Sequence, residues 1–268
     1  MTDDRSLRFG GIVRLYGRDA LSRLQGASVC IIGVGGVGSW TAEAIARSGV
    51  GAITLIDMDD VCVTNVNRQL PALDGTVGQL KVDVLAARSR LIAPACRLTA
   101  VPEFVTPSNA GRLLDGGFDC IIDAVDRTSI KAVIITQAMA LKIPVITVGG
   151  AGGRRDGTMV RCSDLAFAQG DLLLKGLRKL LRRSHGFPKG EGQAFAVTSI
   201  WSAEPQVFPW QDGSCRAEAE PGGSLTMDCA TGIGSITHVT GAFGFAAAGA
   251  AIHLLTSPPP EPLSFPSS

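Results

Sequence analysis

Between residues 28 and 149 the chain alternates short apolar runs with stretches of helical periodicity. The runs at 28–32, 52–56, 96–101, 118–122 and 145–148 have strand length, and 40–47, 77–91 and 129–141 carry helical spacing. Apolar strands alternating with helices predict a mainly parallel sheet covered by helices on both faces. Beyond Gly149 the pattern changes. The glycines of 149–153 predict a tight turn or a mobile stretch, 158–162 and 194–200 read as strands, 172–181 as a basic amphipathic helix, and 184–193 as a loop rich in breakers. An apolar helix is expected over 239–255, and the proline-rich tail 257–268 is expected to be disordered. The expectation is one α/β domain over 1–256. It has a Rossmann-like nucleotide-binding core at 28–150 and an antiparallel and helical extension at 151–256.

Composition narrows the choice of function. Hydrophobic residues make up 46% of the 268 and charged residues 18%, with 33 glycines, which suits a buried core with many tight turns. Net charge is +1, so any anion-binding surface has to be local. The 7 cysteines contain no CxxC pair, which argues against a disulfide scaffold or a four-cysteine zinc site and for thiols kept reduced in a cytoplasmic setting. The N-terminal stretch lacks the apolar run of a secretory signal. The Ala/Gly-rich 239–255 segment, which carries His253, reads as a buried helix without stable membrane insertion.

The chemistry starts at Gly33-Val34-Gly35-Gly36-Val37-Gly38, between a strand and a helix. Glycines let the backbone approach phosphates, and the helix start offers free N–H groups. Asp57, closing the next strand, is placed to accept from ribose hydroxyls. This pair of features alone leaves NAD, FAD and ATP open. The run 57–69 (DMDDVCVTNVNRQ) favours ATP. An adenylate-forming enzyme expels pyrophosphate, whose charge needs fixed donors and cations. Asp59, Asn65 and Arg68 lie in this run, Lys81 opens the following helix, and Asp126 ends the fourth strand like a Mg²⁺ ligand.

These motifs, with RFGG (8–11), RLYG (14–17), FVTP (104–107), GGAGG (149–153), SAEPQVFP (202–209) and MDCATGIGS (227–235), resemble the E1-like superfamily of carboxylate-adenylating enzymes. More narrowly they resemble its tRNA threonylcarbamoyladenosine dehydratase branch. The resemblance implies ribose binding at Asp57, phosphate contacts at Asn65, Arg68 and Lys81, and Mg²⁺ at Asp126. It implies ATP-dependent cyclisation of N6-threonylcarbamoyladenosine at position 37 of tRNA, through an acyl adenylate. It also implies a homodimer and a possible cysteine desulfurase or sulfur-acceptor partner. Bacterial dimers of the superfamily insert an N-terminal arginine into the partner's site. That position falls on Gly11 here, so Arg14 becomes the candidate, with Arg8 beside it.

An RNA substrate needs cations, and Lys175, Arg178, Lys179, Arg182 and Arg183 concentrate them on one helix, with Arg154 and Arg155 as a second candidate. The cysteines of the later half, Cys162, Cys215 and Cys229, read as structural, with Cys229 the one to watch for a thioester. His185, His238 and His253 lack ligand spacing. Three further readings compete: activation of a sulfur-carrier protein, a nicotinamide or flavin oxidoreductase, and a nucleotide-binding scaffold. The missing CxxC pairs and the basic helix weigh against the first. Arg68, Lys81 and Asp126 weigh against the other two.

Overall fold

The computed structural model describes residues 4–190, 192–220 and 233–257. Two helices, α1 (Asp4–Tyr16) and α2 (Arg18–Gly26), precede the alternating core. That core runs β1 (Ser28–Ile32), α3 (Gly38–Arg47), β2 (Ala52–Ile56), α4 (Lys81–Ile92), β3 (Arg97–Val101), α5 (Ala110–Leu114), β4 (Cys120–Asp123), α6 (Thr128–Ala140) and β5 (Val145–Val148). Then come β6 (Val160–Asp164), α7 (Leu172–Ser184), β7 (Thr198–Ser202), the short pair β8 (Phe208–Pro209) and β9 (Cys215–Arg216), and α8 (Thr237–Thr256).

Seven strands form one sheet in the order β3-β2-β1-β4-β5-β7-β6. All neighbours are parallel except β6, which runs antiparallel to β7 at the edge. The extension expected after residue 150 thus completes the same sheet. Alternate residues of β1 serve opposite faces, as the two-residue period requires. Val29 and Ile31 pack with α2, α3, α4 and α8, while Cys30 and Ile32 pack with α5, α6 and α7. Burying each of these aliphatic side chains stabilises the fold by roughly 1.5–3 kcal/mol, and neither face of the central strands is left to solvent.

The Ala/Gly-rich helix α8 has the length and composition to cross a membrane, but 44% of its apolar window is buried within this fold. Its small residues explain its place. A Cβ on Gly244 would sit 2.7 Å from both Trp40 Cβ and Val37 O, so α8 crosses α3 nearly backbone to backbone. Thr41 Oγ1 donates to Gly244 O across that contact at 3.2 Å. The glycines of 149–153 form a tight turn: Gly153 has φ +72, and a Cβ on Gly149 would strike Asp171 Oδ2 at 2.3 Å. The tail beyond Ser257 lies outside the described residues.

Candidate active site

Register assembles the site. Ile32 pairs with Ile56 on one side and with Asp123 on the other, so β1, β2 and β4 end together and the chain leaves them as Gly33, Asp57 and Ala124. Gly33 N donates to Ile56 O and Ala124 N to Ile32 O, both at 2.9 Å. Gly33 takes φ +80, and a Cβ there would lie 3.0 Å from the Ala124 carbonyl and from Val125 N. Gly38 starts α3 so close to this turn that its Cβ would fall 1.9 Å from Gly33 O. Gly35 is different: a Cβ there would meet only Gln69 Nε2, at 3.7 Å. Gly33 and Gly38 are therefore needed for closure of the turn, while Gly35 leaves its outer surface open.

Asp57 locks the turn. Its Oδ2 accepts from Val34 N at 2.8 Å and its Oδ1 from Asp59 N at 2.9 Å. Burial raises the Asp57 pKa, and the two amide hydrogen bonds with the nearby Lys81 charge offset only part of that. Lys81, almost fully buried, places Nζ 2.8 Å from Asp59 Oδ2, and its amide donates to Asp59 O at 3.0 Å. Asn65 is buried on a 3-10 turn, where its Oδ1 accepts from Cys62 N at 3.0 Å. Its Nδ2 donates to no group among the described residues. Arg68 lies beside Gly36 and gives Nη1 to Thr64 O at 2.6 Å and to Asn67 Oδ1 at 3.1 Å. Trp40 Nε1 and Thr240 Oγ1, from α3 and α8, both donate to the Arg68 carbonyl and fix its backbone.

Asp126 is exposed and makes no hydrogen bond or ion pair among the described residues. Its loop rests on the glycine turn through Ala124 and Val125. The structure ties Asp57, Asp59, Lys81 and the glycine turn into one network and sets Arg68 beside it. It does not bring Arg68, Lys81 and Asp126 into mutual contact.

Sequence reasoning missed the support beneath Asp126. Asp123 and Lys131 are fully buried, with Lys131 Nζ 3.1 Å from Asp123 Oδ2, and Thr147 Oγ1 donates to the same oxygen at 2.7 Å. Asp123 Oδ1 accepts from Val125 N at 3.2 Å and so shapes the loop leading to Asp126. A lysine inside the apolar stretch 130–135 was the available signal. Gln69 was also missed as a contributor; its Oε1 is buried without a partner among the described residues, beside Gly35. Buried polar atoms normally find partners, so this oxygen is free to take one from outside the described residues.

The basic helix divides. Lys175, Lys179 and Arg183 are exposed, whereas Arg178 and Arg182 are half-buried. Arg182 Nε donates to Pro188 O at 3.0 Å, with its guanidinium 5.1 Å from the Phe195 ring centroid, so this arginine packs the fold. Burial and the neighbouring Arg182 charge lower the Arg178 pKa. The expectation for Arg154 is corrected. It is buried, donating to Gly150 O, Glu204 O and Gly170 O and pairing with Asp171 at 3.5 Å, and cannot meet RNA; Arg155 remains exposed. Arg14 is exposed on α1, while Arg8 is held by Asp4 at 2.7 Å and donates to Ile92 O. Cys162 and Cys215 are exposed free thiols; Cys229 lies outside the described residues.

A glycine turn locked by a buried aspartate, with a buried lysine nearby at the carboxyl edge of a parallel sheet, is the architecture of a Rossmann-type nucleotide-binding protein. Residues 10–265 match the ThiF family, and the chain belongs to it. It is 45% identical over 243 residues to the tRNA threonylcarbamoyladenosine dehydratase of Haemophilus influenzae, covering 91% of each chain. It is 48% identical over 241 residues to the protein of that name from Escherichia coli, covering 90% of each. The crystal structure of the Escherichia coli dehydratase TcdA in complex with ATP superposes with a TM-score of 0.83 at 42% identity, over 95% of this chain and 96% of that one.

Proposed function

We propose that this chain is an ATP-dependent enzyme that dehydrates N6-threonylcarbamoyladenosine at position 37 of tRNA to its cyclic form. The observation that carries the reading is identity above 40% to dehydratases along nine-tenths of both chains, one of them solved with ATP. The glycine turn and Asp57 cradle the nucleotide, and Lys81 and Arg68 meet its phosphates. We read residues 1–256 as one adenylating domain.

The threonyl carboxylate attacks the α-phosphorus of ATP, a new P–O bond forms, and pyrophosphate leaves with the electrons of the broken bond. The acyl adenylate is then attacked at its carbonyl by a group of the same modified nucleoside. AMP departs carrying the carboxylate oxygen, so the nucleoside loses one water in total. Because the nucleophile belongs to the substrate, no cysteine of the enzyme is required. Lys81 and Arg68 offer cationic donors where negative charge builds on the leaving pyrophosphate, which is where fixed donors lower a barrier.

The residues present fit Mg²⁺. Asp126 is an exposed carboxylate beside the glycine turn with no partner among the described residues, whereas Asp123 is committed to Lys131 and Thr147. Mg²⁺ takes one or two carboxylates and fills its remaining positions with water and substrate phosphates. When bound there, it supplies charge neutralisation to the triphosphate.

The reading extends to a cytoplasmic homodimer. Leu7, Leu15 and Tyr16 are 69%, 75% and 48% exposed on α1, the helix that bears Arg14, and this apolar surface suits a second copy. A cysteine desulfurase or a sulfur-acceptor partner is carried over from the family resemblance alone.

The test is direct. Purified protein, ATP and tRNA bearing the modified adenosine are incubated, and the nucleosides are weighed by mass spectrometry. Loss of one water at position 37, with stoichiometric AMP, is expected. AMP transfer to the C-terminal glycine of a sulfur-carrier protein, with tRNA unchanged, would overturn the reading.

A further inference from the structure

Arg127, Thr128 and Ser129, at the start of α6, face Lys179, Leu180 and Arg183 of α7 across a solvent-open cavity of about 540 Å³. Gly176 also lines it, and a Cβ there would make ordinary contact with Thr128 Oγ1 at 3.5 Å. Arg127, Lys179 and Arg183 are all exposed, and none of their side chains makes an ion pair or hydrogen bond among the described residues. Three cations from two elements thus share one cavity without an internal counter-charge. Like charges gathered this way repel, and an anionic occupant relieves the repulsion.

Position decides which anion. The cavity lies between α6 and α7, on the face of the sheet opposite α3 and α4, so it is separate from the glycine turn and Lys81. It nevertheless adjoins the same sheet edge, because Arg127 follows Asp126 in the chain. Lys175, Lys179 and Arg183 recur every four residues and therefore line one side of α7, continuing the positive charge away from the cavity. A compact anion would need only the cavity. A stripe leading out of it suits a polyanion.

We propose that Arg127, Lys179 and Arg183 form a seat for a backbone phosphate of the RNA substrate, with Lys175 contacting the strand beyond it. The seat orients the substrate beside Asp126, and it rests on the dehydratase reading above. Arg127 and the cavity give the basic helix a geometry that its charge alone does not.

The test compares Arg127→Gln, Lys179→Gln, Arg183→Gln and the triple variant with wild type. Binding of tRNA is followed by fluorescence anisotropy over a KCl series, ATP binding by calorimetry, and melting as a fold control. The triple variant should raise the Kd for tRNA by about tenfold or more near 0.1 M salt and flatten log K against log salt by roughly two to three. Its ATP affinity and Tm should match wild type. Unchanged tRNA affinity and salt slope would overturn the proposal. So would lost ATP affinity with tRNA binding kept, which would give the cavity to the nucleotide's own phosphates. Turnover by the wild-type protein is measured alongside. A wild type that binds tRNA through these cations yet removes no water would sink the dehydratase reading and leave the phosphate seat standing.

Discussion

Lys81 reaches from the first turn of α4 to Asp59, and the two side chains meet at 2.8 Å with the lysine buried and the acid half-exposed. In the proposed reading this pairing holds a cation ready for the phosphates of the nucleotide, and the half-exposed Asp59 is its solvent-facing partner. Lys81→Ala should lower kcat/KM for ATP by about 10²-fold or more, the scale of losing one donor to a developing anion. Pyrophosphate release is the measurement. Activity within twofold of wild type would reduce Lys81 to a structural ion pair.

Asp126 calls for a different signature. Its carboxylate is exposed and carries no bond among the described residues, so Asp126→Asn should leave the melting temperature unchanged. ATP-dependent AMP formation should collapse, with the residual rate needing far more Mg²⁺ for saturation. A magnesium titration of single-turnover AMP formation reads this, and a normal magnesium midpoint would take Asp126 out of the metal's coordination.

The strand ends were readable because strands in parallel register deliver their C-termini to one edge. Gly33, Asp57 and Asp126 consequently stand at the edge that the alternation of apolar runs implied. β1, β2 and β5 also keep their expected limits, since each is a mainly apolar, β-branched run holding one small hydroxyl residue. Elsewhere tertiary contacts decided. The helix expected from residue 77 begins at Lys81, because Gly78 takes φ +84 and Leu80 bridges to Asp60, holding 77–80 in a turn. Helices α1 and α2 were not anticipated. Gly10 and Gly11 weaken helix propensity inside α1, and Phe9 secures it by packing on Gly49, where a Cβ would lie 3.1 Å from the ring. Arg154 looks like a surface cation in sequence; only the fold supplies the carbonyls and the Asp171 carboxylate that bury it.

The glycine turn yields a prediction in which two similar substitutions part ways. Gly38→Ala would drive a methyl group to 1.9 Å from Gly33 O, a backbone atom that cannot yield cheaply. Overpacking of this kind costs about 1–3 kcal/mol or more, so the melting temperature should drop by several degrees. At Gly35 the same methyl meets only Gln69 Nε2, at 3.7 Å. Gly35→Ala should melt like wild type but bind ATP at least ~10-fold more weakly, because the methyl stands where the phosphates approach. Thermal melts and calorimetry separate the two. Equal ATP affinity for Gly35→Ala and wild type would place the phosphates elsewhere.

The buried pair below Asp126 has its own test. Lys131→Met leaves the Asp123 carboxylate buried beside Thr147 without its cation, and breaking such a pair costs about 3–5 kcal/mol. Replacing both partners, as Asp123→Leu with Lys131→Met, should recover much of that stability, since an apolar pair leaves no uncompensated charge. The double variant should nevertheless show weakened magnesium dependence, because Asp123 no longer holds Val125 N. Urea unfolding of the single and double variants decides. A single variant within ~1 kcal/mol of wild type would show that the pair does not brace the loop.

Glu43 makes stability depend on pH. On α3 it receives Arg88 of α4 at 2.7 and 2.9 Å and Arg47 of its own helix at 2.8 Å, joining two helices through one carboxylate. Burial pushes its pKa up, but the hydrogen bonds from Arg88 and Arg47 outweigh burial and hold it below the usual carboxylate range. A carboxylate depressed in the fold binds fewer protons there than in the unfolded chain. Its stabilisation is therefore present above the ordinary glutamate value of about 4.3 and fades as pH falls through the lower folded value. Glu43→Gln should accordingly be less stable than wild type at pH 7, and the gap should close as unfolding is measured at successively more acidic pH below about 4. A gap that stayed constant from neutral to acid would assign the loss to packing and remove the carboxylate's charge from the account.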